Sequence, residues 1–128
     1  MKAKWKKSPL ELVEHFQTST AKLSNIEHRK MFGYPCCFVN GNMFTGLHQE
    51  SWIVRLGPKE QRKILDSYEI CVFEPMAGRP MKQYVELPKD ILNDDILLQK
   101  WLRESLAYVS NLPKKEKKVS ENPKDGPT

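Results

Sequence analysis

The chain has 128 residues and a formal net charge of +5, a length that predicts one domain. The positive charge lies at the two ends: residues 1–7 carry +4 and residues 113–128 carry +2, which leaves −1 for residues 8–112. Nucleic-acid-binding domains obtain most of their affinity from phosphate neutralisation by a basic face. We therefore predict a basic N-terminal extension, a near-neutral folded domain over residues 8–112 and a disordered charged tail. The charge of the folded part gives no support for nucleic-acid binding.

The sequence also limits the compartment. It contains no apolar run of the roughly 20 residues that a membrane span requires, and no apolar segment follows the lysine-rich start as it would in a signal peptide. Of its three cysteines, Cys36 and Cys37 are adjacent. Neighbouring residues of a strand point to opposite faces, so these two thiols cannot share a metal ion. We expect a reduced cytoplasmic protein with no membrane partner.

A helix is predicted first. Ser8-Pro9-Leu10-Glu11 matches a capping box, with Ser8 as the N-cap and Pro9 at the first helical position. The helix would continue to about Lys22, because Val13 and Phe16 extend an apolar stripe at helical spacing.

A β-hairpin is predicted next. Strands over residues 34–39 and 43–48 flank Asn40-Gly41, the dipeptide that best accepts the two positive φ angles of a type I′ turn. The expected cross-strand pairs are Val39–Asn42, Phe38–Met43 and Cys36–Thr45.

The remaining elements follow from the same signals. They are strands over residues 26–32, 51–56, 68–73 and 82–87, a short helix over 58–66, a loop over 74–81, and a last helix to about residue 111 that Asn93, Asp94 or Asp95 would cap. An apolar stripe at helical spacing marks one face of this last helix: Leu98, Trp101, Leu102, Ser105, Val109 and Leu112. Hairpin connections indicate an antiparallel sheet. We therefore predict an α+β fold, a two-layer sandwich with helices on one face of the sheet.

No catalytic or metal-binding pattern is apparent. The three histidines, His15, His28 and His48, fall on different predicted elements and lack the spacing of metal ligands. We accordingly expect no catalytic residues, no metal and no cofactor, and we expect a binding protein and not an enzyme.

Two segments contain the candidate binding residues: 29–33 and 78–81. Arg79 precedes Pro80, which keeps it extended, so its guanidinium could bind a carboxylate or a phosphate. Alternatively, Arg29 and Arg79 each form an internal ion pair. The apolar residues near these segments line either a soft binding surface or the core: Met31, Phe32, Met43, Phe44, Met76 and Met81.

The two segments resemble the TfoX N-terminal domain family, found in TfoX/Sxy competence regulators and in short stand-alone bacterial proteins. The resemblance covers roughly residues 8–110, including the Asn40-Gly41 turn. Its signature residues here are Arg29, Met31, Phe32, Gly33, Gly78, Arg79 and Pro80. It implies a two-layer α+β sandwich similar to secretion-chaperone-like proteins, and it implies no catalytic residues.

The resemblance and the composition lead to three hypotheses about function. The first is a non-enzymatic regulatory module that binds a protein partner or a second copy through the sheet face or an edge strand. The second is a DNA-associated transcriptional regulator, which would bind nucleic acid weakly through the lysines of the two ends together with Arg29 or Arg79. The third is an anionic small-molecule site or enzyme around Arg29 and Arg79. In competence regulators a C-terminal domain follows this one, whereas a charged tail follows it here, so we do not expect transcriptional activation to transfer whole.

Overall fold

The computed structural model describes residues 7–70, 72–74 and 81–113. Its elements are α1 (Leu10–Thr20), β1 (Glu27–Met31), β2 (Tyr34–Val39), β3 (Asn42–His48), β4 (Ser51–Arg55), α2 (Pro58–Ser67), β5 (Tyr84–Glu86), α3 (Lys89–Leu92) and α4 (Asp95–Ser110). Several predictions fall outside the described residues: those for the extension up to residue 6, for the tail beyond residue 113, for most of the loop over 74–81, and for Met76, Gly78, Arg79 and Pro80.

The five strands form one antiparallel sheet in the order β1-β2-β3-β4-β5, so each strand pairs with its neighbour in sequence. Helices α1 and α4 pack on one face of this sheet. The main core between them contains, among others, Phe16, Phe44, Trp52, Leu98 and Leu102. The predicted α+β fold is confirmed.

The last helix follows its predicted pattern. Asp94 is the N-cap, and its carboxylate accepts hydrogen bonds from the backbone N–H groups of Ile96 and Leu97 at 3.0 and 3.2 Å. The buried residues of α4 are those of the predicted apolar stripe: Leu98, Trp101, Leu102, Ser105 and Val109.

The central hairpin contains a β-bulge that the sequence did not indicate. The turn residues Asn40 and Gly41 have φ angles of 53° and 78°, as a type I′ turn requires. The pairs Val39–Asn42 and Phe38–Met43 form as predicted, but Cys36 lies opposite Gly46 and not Thr45. Phe44 is the additional residue.

The hydrogen bond of Ser105 explains why the bulge is stable. A bulge leaves a residue without its place in the strand ladder. Here the Ser105 hydroxyl of α4 donates to the Phe44 carbonyl oxygen at 2.8 Å, and both residues are fully buried. The bulge therefore fixes α4 to the sheet.

Two local predictions are wrong. The capping box does not form: α1 begins at Leu10 with Pro9 as its N-cap, no side chain caps it, and the Ser8 hydroxyl is buried without a hydrogen bond. Among the described residues of the strand predicted over 68–73, the only sheet pairing is a single bridge between Val72 and Val85.

The chain geometry after α2 explains the missing strand. Tyr68 donates its backbone N–H to the Ile64 carbonyl and so ends the helix, and its own carbonyl accepts from the N–H of Ile70. Such an i to i+2 bond is a γ-turn, which bends the chain away from an extended ladder.

A buried polar pair joins β3 to β4. The Thr45 hydroxyl donates to the Ile53 carbonyl oxygen at 2.8 Å and accepts from the Trp52 indole N–H at 2.9 Å. Trp52 and Thr45 are both fully buried, so neither bond has water as a substitute.

We expect Thr45→Val to lower the free energy of unfolding by about 1–3 kcal/mol, because it leaves the buried indole N–H without an acceptor. Thr45→Ser keeps the hydroxyl and removes one methyl group, for a loss of about 0.8 kcal/mol. Urea denaturation measures both. A valine variant at least as stable as the serine variant would contradict this account.

Candidate functional site

The candidate site lies on the sheet face opposite α1 and α4, which we call the open face. Because side chains alternate along each strand, the cross-strand pairs assign residues to it. Those on the open face are Glu27, Arg29, Met31, Tyr34, Cys36, Phe38, Met43, Gly46, His48, Ser51, Ile53, Arg55, Tyr84 and Glu86.

A cavity of about 150 Å³ opens on this face. Its lining includes three methionines (Met31, Met43 and Met81), together with Phe73 and Ile53. Phe73 comes from the segment that follows α2, and its backbone N–H donates to the Tyr84 carbonyl oxygen at 2.8 Å. The cavity is thus bounded by the sheet on one side and by this segment on the other.

Gly46 allows the strands to approach closely beneath the cavity. A Cβ atom at this position would lie 3.0 Å from the Cβ of Cys36 and 3.5 Å from the carbonyl oxygen of Pro35. Glycine within a strand often marks such a close backbone approach. A larger residue here would push β2 away or fill the cavity.

The cavity wall carries no net charge at neutral pH. The His48 ring lies 5.3 Å from the ring of Tyr34 and 5.3 Å from that of Phe73, and burial lowers the pKa of His48 below its ordinary 6.5. Burial also raises the pKa of the Cys36 thiol, which keeps it protonated. An apolar group would enter this cavity without meeting a charge.

The β1–β2 turn places an aromatic side chain at the edge of the cavity. Phe32 and Gly33 are its two turn residues, with φ angles of 55° and 86°. A positive φ is unfavourable for a bulky residue, and Asn or Gly usually occupies this position. Burial of the ring does not compensate for this unfavourable φ angle, because the Phe32 side chain is 78% exposed. Strain of this kind concentrates at functional sites.

Arg29 is engaged on the open face by its neighbours. Its Nε donates to the Glu27 carboxylate at 2.9 Å, and its guanidinium carbon lies 4.7 Å from the centre of the Phe38 ring. The hydrogen bond with Glu27 raises the pKa of Arg29. These contacts match the internal ion pair that the sequence left as an alternative.

A second arginine, which the sequence did not single out, is held in a similar way. The Nε of Arg55 donates to the Gln83 side-chain oxygen, and its guanidinium carbon lies 6.0 Å from the Tyr84 ring. The Tyr84 hydroxyl in turn donates to the Met43 carbonyl oxygen at 3.0 Å. Burial is the main reason that the pKa of Tyr84 is raised.

The structure brings together part of the predicted set. Met31 and Phe32 lie at the cavity, whereas Arg29 points along β1 toward Glu27 and Phe38. Met43 and Met81 also line the cavity, whereas Phe44 is in the main core. Sequence reasoning missed Tyr34, His48, Ile53 and Phe73. The continuous apolar run 36–39 was a signal that β2 is covered on both faces, because such strands lack alternation, but it did not identify these four residues.

Other kinds of site receive no support. Within residues 7–70, 72–74 and 81–113, no three histidine, cysteine or acidic side chains are grouped to hold a metal ion. None of the helices described is long and apolar enough to cross a membrane.

We expect Phe32→Asn to raise the free energy of unfolding by about 1 kcal/mol, because asparagine accepts the left-handed conformation that phenylalanine resists. Gly33→Ala in the same turn should lower it by about 1 kcal/mol, since the added Cβ meets no atom within 4 Å and acts through φ alone. Thermal or urea denaturation measures both. A Phe32→Asn variant less stable than the parent would show that the aromatic ring contributes more than the turn costs.

Stability should fall as the pH decreases through the range where His48 titrates. Its pKa is lower in the folded chain than the ordinary 6.5, so the unfolded chain binds more protons in that range. The stability that neutral His48 contributes is fully present above pH 6.5 and is lost as the pH falls through the folded-state pKa. Between about pH 7.5 and about pH 5.5, His48→Gln should lose less stability than the parent in urea titrations. Equal losses in both proteins would contradict the assignment.

Comparison with known proteins identifies the family. The model of the TfoX N-terminal domain matches residues 18–109, which is most of the chain. The matched part includes all five strands, the open-face cavity residues named above and most of α4. Among curated proteins there is no significant match. The extent of the family match establishes that this chain belongs to the TfoX N-terminal domain family.

Proposed function

We propose that this chain is a non-enzymatic regulatory module that binds a protein partner by taking one large apolar side chain of that partner into the open-face cavity. The observation that carries the proposal is the uncharged, methionine-lined cavity, with the strained and exposed Phe32 beside it. Membership of the TfoX N-terminal domain family supports the regulatory part.

The size of the cavity fits a side chain better than a drug-sized ligand. Small-molecule sites usually occupy about 300–1,000 Å³. A cavity of about 150 Å³ is comparable to those that accept a single benzene-sized group. A phenylalanine, leucine or methionine side chain has these dimensions.

The lining suits a partner surface that is apolar and variable in shape. Methionine side chains are flexible and polarizable, and they are frequent at surfaces that adapt to different partners. The exposed Phe32 would add aromatic contact area beside the inserted side chain, and aromatic residues of this kind dominate binding energies at interfaces.

The charges of the described open face favour this proposal over an anionic ligand. Arg29 is already paired with the Glu27 carboxylate, which weakens its attraction for an anion, and Arg55 is held by Gln83 and Tyr84. Arg79 lies outside the described residues, and an anion site around it stays a prediction. DNA association also stays a prediction, because most of the end lysines on which it depends lie outside them.

The test uses a random peptide library displayed on phage and selected against the full chain. We expect the selected peptides to share a large apolar residue, and we expect Phe32→Asn to weaken their binding at least tenfold in calorimetry. The matched control is Ile96→Asn, because Ile96 is 82% exposed but lies on α4, and this variant should bind like the parent.

A second variant tests the cavity itself. Met43→Trp should fill it from the wall and abolish peptide binding, while the Met43 carbonyl keeps its bond to Tyr84. Circular dichroism verifies that the variant folds. Selected peptides that lack a common apolar residue, or that bind both site variants as tightly as the parent, would refute the proposal.

A further inference from the structure

We propose that β1 is a self-association edge, through which two copies of this chain join their sheets by antiparallel β1–β1 pairing centred on His28. This inference is independent of the proposed function, because it concerns the edge of the sheet and not the cavity. The partner to which it commits is a second copy of the chain.

The position and exposure of β1 make this edge available. β1 is the terminal strand of the sheet that the described residues form, and all five of its residues are exposed. The opposite edge strand, β5, is partly covered, because Val72 bridges to Val85 and Phe73 donates to the Tyr84 carbonyl. Exposed strand edges present unused backbone hydrogen-bonding groups.

The hairpin geometry determines which backbone groups point outward. Residues that flank a two-residue turn exchange both backbone hydrogen bonds, so Met31 pairs fully with Tyr34. The pattern alternates along the strand, so Arg29 and Glu27 also face β2. The backbone groups of His28 and Lys30 therefore point away from the sheet.

The charges of β1 favour one register. In a symmetric pair centred on His28, Glu27 lies opposite Arg29 of the second copy, and the reverse pair forms as well. Both residues are on the open face, where they already form an ion pair within the strand at 2.9 Å. Pairing would give a network of four alternating charges, which is more favourable than isolated surface pairs.

The neighbouring registers are unfavourable. A pair centred on Arg29 sets two arginines directly opposite each other, one centred on Lys30 sets two lysines opposite, and one centred on Glu27 sets two glutamates opposite. Like charges in directly opposed positions destabilise a sheet. The alternation of charge thus blocks general edge-to-edge aggregation while permitting one specific pair.

This arrangement has a consequence for the open face. The symmetry axis of such a pair is perpendicular to the sheet, so both open faces lie on the same side of a ten-stranded sheet. Each copy keeps its own open-face cavity, so the pair would carry two cavities, one on each side of the β1–β1 junction.

Disulfide trapping tests the register in the full chain. Two His28 Cα atoms would lie about 5.5 Å apart as a hydrogen-bonded pair, within the range for a disulfide. With oxidised glutathione as the electron acceptor, His28→Cys should give a covalent dimer. The matched control is Lys30→Cys, on the same strand and face, whose Cα atoms would lie about 14 Å apart and should remain uncrosslinked. Cys36 and Cys37 are buried, and the parent chain provides the background.

Charge exchange tests the network. In sedimentation equilibrium, we expect the parent to dimerise with a dissociation constant on the order of micromolar or weaker, because a single strand pair buries little area. Glu27→Arg and Arg29→Glu should each raise that constant about tenfold, and the double exchange should restore it.

Three results would overturn the proposal. They are a parent chain that is monomeric at the highest soluble concentration, equal crosslinking of the two cysteine variants, and single charge variants that dimerise like the parent. The changed residues are exposed, and His28→Cys removes a 3.2 Å hydrogen bond to Thr20, whose hydroxyl keeps its bond to the Phe16 carbonyl oxygen. Circular dichroism verifies that every variant folds like the parent.

Discussion

The β-bulge at Phe44 is the constraint on which the open face depends. Side chains alternate along a strand, so a shift of one residue moves every later side chain to the other face. Without the additional residue, Cys36 would pair with Thr45, and Gly46 and His48 would turn toward α4. The hydrogen bond from Ser105 to the Phe44 carbonyl maintains the bulge and so keeps those residues at the cavity. The packing of α4 on one face of the sheet therefore determines which side chains lie on the open face.

Local signals were sufficient to predict most of the fold. The Asn40-Gly41 turn, the Asp94 cap and the apolar stripe of α4 each depend on a few neighbouring residues, and each is present in the structure. The bulge could not be predicted in this way, because its stabilising partner is 61 residues further along the chain. The capping box failed for another reason: the helix begins one residue later, and Ser8 is then too early to serve as its cap.

The candidate site could be predicted only in part. The segment 29–33 stood out because it combines an arginine, a methionine and an aromatic residue before a glycine, and its two turn residues do adopt left-handed backbone angles. The partners that complete the cavity come from β3, β4 and the segment after α2, so their proximity depends on the sheet register. For Arg29, the sequence left two alternatives, and the contacts with Glu27 and Phe38 favour the internal one.

The order of the strands also bears on how the chain folds. Because each strand from β1 to β4 pairs with the next one along the chain, these contacts close short loops and have a low contact order. The addition of β5 and the packing of α4 against α1 join distant parts of the sequence, and they carry the larger entropic cost of loop closure. The β1–β4 meander therefore supplies the local contacts of the sheet, and the C-terminal helix supplies the long-range contacts that tie the two ends of the domain together.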